Sequence, residues 1–168
     1  IIHAPGKHCV YPFASIADLD LCDTKAIERY LAHNKVDIII NTAAYTDVES
    51  AEDNEAMAMA VNGDAVRELA RIAESRGIKL IHISTDYVFG GDTRRQMPYT
   101  EDDEVAPISA YGRTKAVGEA AVVEHGGIVL RTAWLYSPWG KNFMLTISRL
   151  ATDHKEISVV DDQRGTPT

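Results

Sequence analysis

Short apolar runs alternate with helix-like stretches along most of this chain. Three runs rich in β-branched residues have the pattern of buried parallel strands, at 36–40, 79–84 and 127–131. Two weaker runs, at 8–13 and 156–160, predict further short strands. Helices are predicted over 24–33, 53–75, 111–124 and 142–152. Strands that alternate with helices predict an α/β fold with a Rossmann-like, doubly wound parallel sheet, formed by one domain over residues 1–168.

Local signals mark several of these boundaries. Asp23 or Thr24 suits the N-cap of the first helix, because a short polar side chain there accepts a bond from a free amide. Arg76-Gly77 supplies a basic last turn and a C′ glycine at the end of the long second helix. Residues 90–109, with two prolines, are predicted to form a polar loop.

Composition narrows the range of functions. The 168 residues carry a net charge of −8 and no cluster of Lys or Arg, so nucleic acid is not an expected partner. No apolar run reaches the roughly 18 residues of a membrane span and no signal peptide is visible, so a cytoplasmic location is expected. Cys9 and Cys22 suit free thiols in a reducing compartment, and the scattered histidines predict no metal site.

Tyr111 and Lys115 are four residues apart, so one helical turn can bring them to the same spot. A free tyrosine has a pKa of about 10, too high for easy proton exchange at neutral pH. An ammonium about 4 Å away contributes about 4 kcal/mol at an effective dielectric constant near 20, before desolvation. We therefore predict that Lys115 lowers the pKa of Tyr111. The alternative is that this common spacing occurs by chance.

Polar side chains follow the predicted strands. Thr85 ends the 79–84 strand and is placed to donate a hydrogen bond to the oxygen that Tyr111 serves, with Asp86 and Tyr87 lining the pocket. The alternative is that the strand-end hydroxyls only cap a loop. The small residues of 41–44 allow a ligand to approach the backbone, or form a tight turn. Asp20 either contacts an adenine edge or is solvated.

Six segments, in order, carry a resemblance to a known family. They are 36–48 (VDIIINTAAYTDV), 82–89 (HISTDYVF), 111–119 (YGRTKAVGE), 131–136 (RTAWLY), 140–143 (GKNF) and 159–168 (VVDDQRGTPT). Thr85, Tyr111 and Lys115 look like the active-site set of the extended short-chain dehydrogenase/reductases. The flanking segments resemble the dTDP-4-dehydrorhamnose reductases, and the similarity covers nearly the whole chain from Asp18 onward.

The resemblance implies an enzyme of nucleotide-sugar and cell-surface polysaccharide biosynthesis. Its members reduce the 4-keto group of dTDP-4-dehydrorhamnose with NADPH or NADH and form dTDP-L-rhamnose. By position, Thr85 would hydrogen-bond the keto oxygen and Tyr111 would protonate it. Lys115 would tune Tyr111 and hold the nicotinamide ribose. The expected partner is the nucleotide-sugar substrate, and a homodimer is the assembly considered.

The same resemblance implies two sets of binding residues. Those expected along the cofactor, besides Tyr111 and Lys115, are Ala43, Ala44, Tyr45 and Thr46, with Asp20 and Leu21 at its adenosine end. Those expected at the substrate, besides Thr85, are Asp86, Tyr87 and Trp134. The flat indole of Trp134 suits packing on a sugar face, although a tryptophan there could equally belong to the core.

The chain departs from the family at both ends. It begins at Ile1 without the first strand and glycine-rich turn that bind a pyrophosphate, and it stops at Thr168 before the smaller substrate region. We expect a longer product whose first strand lies between the strands at 8–13 and 79–84. Its loss would leave unpaired backbone groups at two buried edges, so weak nicotinamide binding is predicted for the 168-residue chain.

Two other functions fit the same residues. One is a non-catalytic relative, like the regulatory subunit of methionine adenosyltransferase, which the resemblance includes. The other is a different nucleotide-sugar reductase or epimerase of the same superfamily. Segments 82–89 and 159–168 favour the rhamnose reductase over the second alternative.

Overall fold

The computed structural model describes residues 19–140, 142–161 and 165–168. Three strands, β1 (Ile38–Asn41), β2 (Lys79–Thr85) and β3 (Ile128–Thr132), form a parallel sheet in the order β1-β2-β3. The α-helices are α1 (Thr24–His33), α2 (Val48–Asp53), α3 (Glu55–Met59), α4 (Ala65–Ser75), α5 (Ala110–Glu124) and α6 (Phe143–Asp153). A π-helical turn (Ala60–Asp64) joins α3 to α4, and a 3₁₀ turn (Asp86–Val88) follows β2.

The parallel α/β architecture and the three strong strands are confirmed. The predicted strand at 156–160 is wrong: these residues form no strand, and all but one of them are exposed, so no neighbouring strand pairs with them in the described part. The weak strand at 8–13 lies outside the described residues. The N-cap of α1 is Asp23, whose carboxylate accepts a bond from the Ala26 amide at 2.9 Å.

The expected neighbours of the 79–84 strand are wrong. β2 pairs with β1 on one side, with Ile40 opposite Ile81, and with β3 on the other, with Ile83 opposite Leu130. Both edges of β2 are therefore occupied, and no further strand can pair there. The reason is that the helical crossover between residues 48 and 75 returns the chain directly beside β1, the usual result for consecutive parallel strands.

The single long helix predicted over 53–75 is also wrong. The chain forms α2 from Val48, pauses at Asn54, and then passes through α3 and the π-helical turn before α4. Asn54 favours the break because its side-chain amide donates to the Ser50 carbonyl at 3.0 Å and so caps α2.

The hydrophobic core lies between α1, α4 and α5 and one face of the sheet. Ile27, Ile72 and Val122 are fully buried there, and Ile39 and Val129 contact the same cluster from the strands. The residues that precede and follow them along each strand point to the opposite face of the sheet. Ile38, Ile40, Ile128 and Leu130 are accordingly 45% to 56% exposed. Helices of the described part thus cover one face of the sheet much better than the other.

Candidate active site

An open cleft of about 210 Å³ lies at the carboxyl ends of the strands. Parallel sheets place ligands at this edge, because the loops that leave the strands converge there. Four segments contribute to its lining: Thr46 and Val48 after β1, Ser84, Thr85, Asp86 and Tyr87 at the end of β2, Tyr111 on α5, and Thr132, Ala133, Trp134 and Leu135 after β3.

Thr85 is held at the end of β2 by the turn that it caps. Its hydroxyl oxygen accepts a bond from the Tyr87 amide at 3.2 Å, and the hydroxyl donates to the Asp86 carboxylate at 3.3 Å. The capping alternative therefore holds for Thr85 but not for Ser84, whose buried hydroxyl has no hydrogen-bond partner within the described residues. The Thr85 side chain also lines the cleft, so capping and ligand contact are compatible roles.

Tyr111 lies in the first turn of α5, and several contacts anchor that turn. The Ser109 hydroxyl accepts from the Gly112 amide at 3.1 Å, and the Glu52 carboxylate of α2 accepts from the Ala110 amide at 2.7 Å. Both bonds satisfy amides that a helix start leaves free. Arg113 forms a two-pronged ion pair with Glu55 of α3, with both N–O distances at 2.9 Å. The position of Tyr111 is consequently set by α2 and α3 as well as by α5.

The predicted lowering of the Tyr111 pKa is wrong. Burial raises the pKa of this phenol above its ordinary value; the Thr85 hydroxyl opposes the rise, and the negative charge of Asp86 adds to it. Tyr111 is therefore a protonated phenol at neutral pH. It can donate a proton, but no cation of the described residues lowers its pKa to make it a ready base.

Lys115 explains that outcome because its side chain points elsewhere. It is 2% exposed, and its Nζ donates to the Ile83 carbonyl at 2.8 Å and lies 3.1 Å from Nε2 of His82. Burial lowers the pKa of Lys115 to about 8, although the nearby Glu119 carboxylate opposes that shift. Lys115 lies beside the cleft, beneath β2, and not among the residues that line it.

The loop after β1 carries the expected cofactor residues and is clamped by one buried amide. The side chain of Asn62, on the π-helical turn, accepts from the Tyr45 amide at 2.8 Å and donates to the Tyr45 carbonyl at 3.1 Å. Asn62 also donates to the Thr114 hydroxyl at 3.1 Å. Ala43 and Thr46 remain exposed beside this clamp, and Ala44 is half-buried. A loop of small residues with accessible backbone fits a cofactor that must approach closely.

The substrate residues converge in part. Asp86, Tyr87 and Trp134 all line the cleft with Thr85 and Tyr111, and the Tyr87 and Tyr111 rings meet edge to face at 5.6 Å. Trp134 has a backbone φ of +45°, a conformation that residues with a side chain seldom adopt outside functional sites.

The indole of Trp134 packs on Gly165, where an added Cβ would lie 3.3 Å from the ring. Residue 168 approaches the same place, since its amide donates to the Ala133 carbonyl at 2.9 Å. The sequence alternative in which Trp134 belongs to the core does not hold, because its side chain is 40% exposed.

Asp20 and Leu21 lie apart from the cleft, in the turn before α1. The Asp20 carboxylate accepts from the Cys22 amide at 2.9 Å, and Leu21 packs against the hydrophobic core. Neither residue lines the cleft that contains Tyr111. Their proposed place at the adenosine end of the cofactor stays a prediction.

Sequence reasoning missed three buried polar residues, Asn41, Asn62 and His82. The signal for His82 was present: a histidine between two isoleucines, on the core-facing side of an alternating strand, must satisfy its ring nitrogens inside the protein. Asn62 follows Ala60 and Val61 in a helical stretch and is fully buried, which sequence pattern does not disclose.

In the ranges 19–140, 142–161 and 165–168, no helix has the length and apolar character needed to cross a membrane.

Comparison with known proteins places this geometry in a family. The model of the RmlD substrate-binding domain matches residues 3–168. A dTDP-4-dehydrorhamnose reductase of Mycobacterium tuberculosis is 47% identical over 154 residues, which cover 89% of this chain and 50% of that protein. One of Mycolicibacterium smegmatis is 44% identical over 168 residues, covering 98% and 50% respectively. The chain spans about half the length of the curated relatives it matches.

Solved structures agree with the sequence matches. A dTDP-4-dehydrorhamnose reductase of Bacillus anthracis in complex with NADP superposes with a TM-score of 0.88 at 41% identity, covering 94% of this chain and 56% of that one. A second, from Clostridium acetobutylicum, gives 0.85 at 41% identity, with coverage of 91% and 54%. With strands, cleft and matched residues in agreement, the chain belongs to the RmlD substrate-binding domain family.

Proposed function

We propose that this chain supplies the catalytic cleft of an NAD(P)H-dependent reductase that converts the 4-keto group of dTDP-4-dehydrorhamnose into the hydroxyl of dTDP-L-rhamnose. The observation that carries this proposal is that Thr85 and a protonated Tyr111 line one open cleft at the carboxyl end of the sheet. The names of the 47% and 44% identical relatives support the same substrate class.

Tyr111 acts as the acid in this proposal. A bound nicotinamide would supply the hydride for the carbonyl carbon, and Tyr111 would transfer its phenolic proton to the carbonyl oxygen, which becomes the hydroxyl. The tyrosinate that remains recovers a proton from water. Tyr111 is protonated at neutral pH and can donate its proton as negative charge develops on the substrate oxygen, although burial, by raising its pKa, makes it a weaker acid than a free phenol.

Thr85 orients the substrate oxygen. Its hydroxyl is fixed by the Tyr87 amide at 3.2 Å and then has its proton free for either Asp86 or a ligand in the cleft. A hydrogen bond that strengthens as charge develops on the oxygen stabilises the transition state. Asp86, Tyr87 and Trp134 are proposed to contact the nucleotide-sugar, with the exposed indole packing on a sugar face.

The cofactor would lie along the loop after β1. Ala43, Ala44, Tyr45 and Thr46 are proposed to contact it, on a loop that Asn62 clamps at Tyr45. Lys115 is proposed to reach the nicotinamide ribose from beneath β2. Asp20 and Leu21 are proposed at the adenosine end. The Bacillus anthracis structure contains NADP, which supports NADPH. A related Bordetella enzyme at 27% identity was solved with NAD, so NADH remains the alternative cofactor.

A second candidate differs in the sugar. A Streptomyces niveus relative named dTDP-4-keto-6-deoxy-D-glucose reductase is 44% identical over 154 residues, nearly as similar as the rhamnose enzymes. The residues of the cleft do not separate the two sugars. A non-catalytic regulatory role, in which the fold is kept only for binding a partner, is the third.

One assay separates these candidates. The product of the gene that encodes this chain is incubated with NADPH and each dTDP-4-keto sugar in turn, and cofactor oxidation and product stereochemistry are followed. We expect dTDP-L-rhamnose to form and Tyr111→Phe to reduce kcat by at least about 100-fold. Tyr30→Phe, which removes the same hydroxyl on α1 away from the cleft, is the matched control. Wild-type inactivity on every keto sugar would favour the regulatory role.

We further propose a cytoplasmic homodimer that takes the nucleotide-sugar as its substrate. Light scattering after size-exclusion chromatography tests the assembly, since a dimer and a monomer differ twofold in mass.

A further inference from the structure

Three buried polar side chains form a line beneath the cleft, one each from β1, β2 and α5. Asn41 is 6% exposed, His82 is 0% exposed and Lys115 is 2% exposed. Nδ2 of Asn41 lies 3.0 Å from Nδ1 of His82, and Nε2 of His82 lies 3.1 Å from Nζ of Lys115. A lysine that ends against a buried imidazole, with no carboxylate bonded to its Nζ, needs a specific explanation.

The direction of these hydrogen bonds is set at one end. The Ala43 amide, which can only donate, lies 3.0 Å from Oδ1 of Asn41. The other side of that amide group, the donor Nδ2, must then face His82, so Nδ1 of His82 accepts. A neutral imidazole has one donor and one acceptor, so the proton lies on Nε2 and is directed at Nζ of Lys115. Only the neutral amine of a lysine has a lone pair to accept it.

We propose that Asn41 and His82 are positioning residues that favour the neutral amine of Lys115 over its ammonium ion. The proposal rests on the proposed function, in which Lys115 reaches the nicotinamide ribose. If Lys115 is protonated, its ammonium opposes the Nε2–H of His82, which is also a donor. If His82 instead carries its proton on Nδ1, two donors are opposed at Asn41, or at Ala43 when the Asn41 amide is reversed. Every arrangement of the line leaves one pair of donors opposed, so the charged form carries a penalty beyond that of burial.

The charges around the line agree with this assignment. Burial is the main cause that lowers the pKa of His82 to about 3, and the charge of a protonated Lys115 adds to it, so the imidazole is neutral at physiological pH. Glu119, one turn along α5, favours the ammonium form of Lys115. The Glu119 carboxylate is, however, paired with Arg131 at 2.7 Å, and this pairing weakens its effect on Lys115. No other titratable side chain of β1 or β2 bonds to the line within the described residues. The charge of Lys115 is thereby adjustable close to neutral pH, where an ordinary lysine stays fully charged.

The tautomer of His82 provides a direct test in the unmodified chain. In the 168-residue chain with ¹⁵N-labelled histidine, long-range proton–nitrogen spectra at pH 9.5 report which ring nitrogen carries hydrogen. We expect Nε2 to be protonated and Nδ1 to be bare. A His82 ring with its proton on Nδ1 would overturn the proposal, because the line would then run in the opposite direction.

The pKa of Lys115 provides the second test, through ¹³Cε signals of labelled lysine with Lys115→Arg used for assignment. In Asn41→Ala, no amide fixes the tautomer of His82, so Nε2 can accept from the ammonium and we expect the pKa of Lys115 to rise by at least one unit, a tenfold gain in proton affinity. Asn34→Ala, at the end of α1, is the matched control and should leave the pKa of Lys115 unchanged. An unchanged or lowered Lys115 pKa in folded Asn41→Ala would refute the proposal. Both readouts are independent of turnover, so an inactive reductase would not be mistaken for failure here.

Discussion

At the residue scale, the least expected feature is a neutral histidine buried inside a parallel strand. His82 contacts Asn41 on one side and Lys115 on the other, and its pKa is lowered to about 3. The unfolded chain binds a proton to this ring near pH 6.5, whereas the folded chain does not. The contribution of this group to the free energy of unfolding is therefore fully present above pH 6.5. It is lost as the pH falls toward 3, because only the unfolded chain takes up the proton over that range.

His82→Gln should therefore change the acid sensitivity of the chain. Between pH 7 and pH 4 the wild-type chain should lose about 3 kcal/mol more free energy of unfolding than the variant does, because glutamine takes up no proton. Urea denaturation at several pH values measures this difference. The carboxylates titrate equally in both proteins and cancel in the comparison. Stability curves that run parallel over that range would contradict the buried neutral histidine.

Thr85 allows a second test at this scale. Thr85→Val keeps the shape of the side chain but removes the hydroxyl that faces the cleft, so kcat should fall by about 100-fold while the KM for NADPH changes little. Thr85→Ser keeps the hydroxyl and is the matched control. If Thr85→Val and Thr85→Ser retain equal activity in steady-state assays, the hydroxyl does not act on the substrate oxygen.

At the element scale, the position of Tyr111 depends on how closely α5 approaches its neighbours. Gly118 lies where α5 crosses the π-helical turn, and an added Cβ there would overlap the Asn62 carbonyl oxygen. Gly112 lies equally close to the Tyr87 carbonyl oxygen. The π-helical turn presents Asn62 to Thr114 on α5 and to the loop that follows β1. The absence of a side chain at these two glycines thus allows the backbone of α5 to approach the π-helical turn and the turn after β2 closely.

Gly118→Ala should reverse the usual effect of alanine in a helix. In an open helix this change stabilises by about 1 kcal/mol, but here the backbone must move, so we expect a loss of about 2 kcal/mol. Ala120→Gly, on the exposed face of α5, is the control and should lose only about 1 kcal/mol. Thermal unfolding of the two variants measures both. A stabilised Gly118→Ala would show that the approach is looser than described.

At the scale of the whole molecule, the sheet has two unequal faces. Ile39 belongs to the core under α4 and α5, while Ile38, Ile40, Ile128 and Leu130 are about half exposed on the other side. Exposed apolar surface of this kind binds hydrophobic dyes and promotes association. The relatives are about twice as long as this chain, so they contain additional residues that such a face could contact.

Replacing Ile40 and Leu130 by threonine should lower the fluorescence of a hydrophobic dye bound to the 168-residue chain and leave its melting temperature nearly unchanged. Ile39→Thr, one residue away on the opposite face, is the matched control and should destabilise the chain by about 2 kcal/mol. Equal dye binding before and after the double substitution would mean that this face is covered in solution.

Local pattern was enough for the three strong strands, for α1, α5 and α6 within one or two residues, and for the cleft residues at the strand ends. These features depend on periodicity, on capping residues and on the fact that parallel strands end at one edge, all of which can be read from neighbouring residues. Three other features depended on which partner each segment meets in the folded chain. They are the division of 48–75 into four helical pieces, the direct pairing of β1 with β2 and the absence of a strand at 156–160 in the described residues.

The same contrast holds for the chemistry. The spacing of Tyr111 and Lys115 predicted one shared site, but spacing along a helix does not determine where a long, flexible side chain ends. The packed structure directs Lys115 to His82 and leaves Tyr111 with a raised pKa beside Thr85. Residue types and their order are sufficient to identify the family. The proton affinity of each group was decided by burial and by hydrogen-bond direction, since both arise only when distant segments pack together.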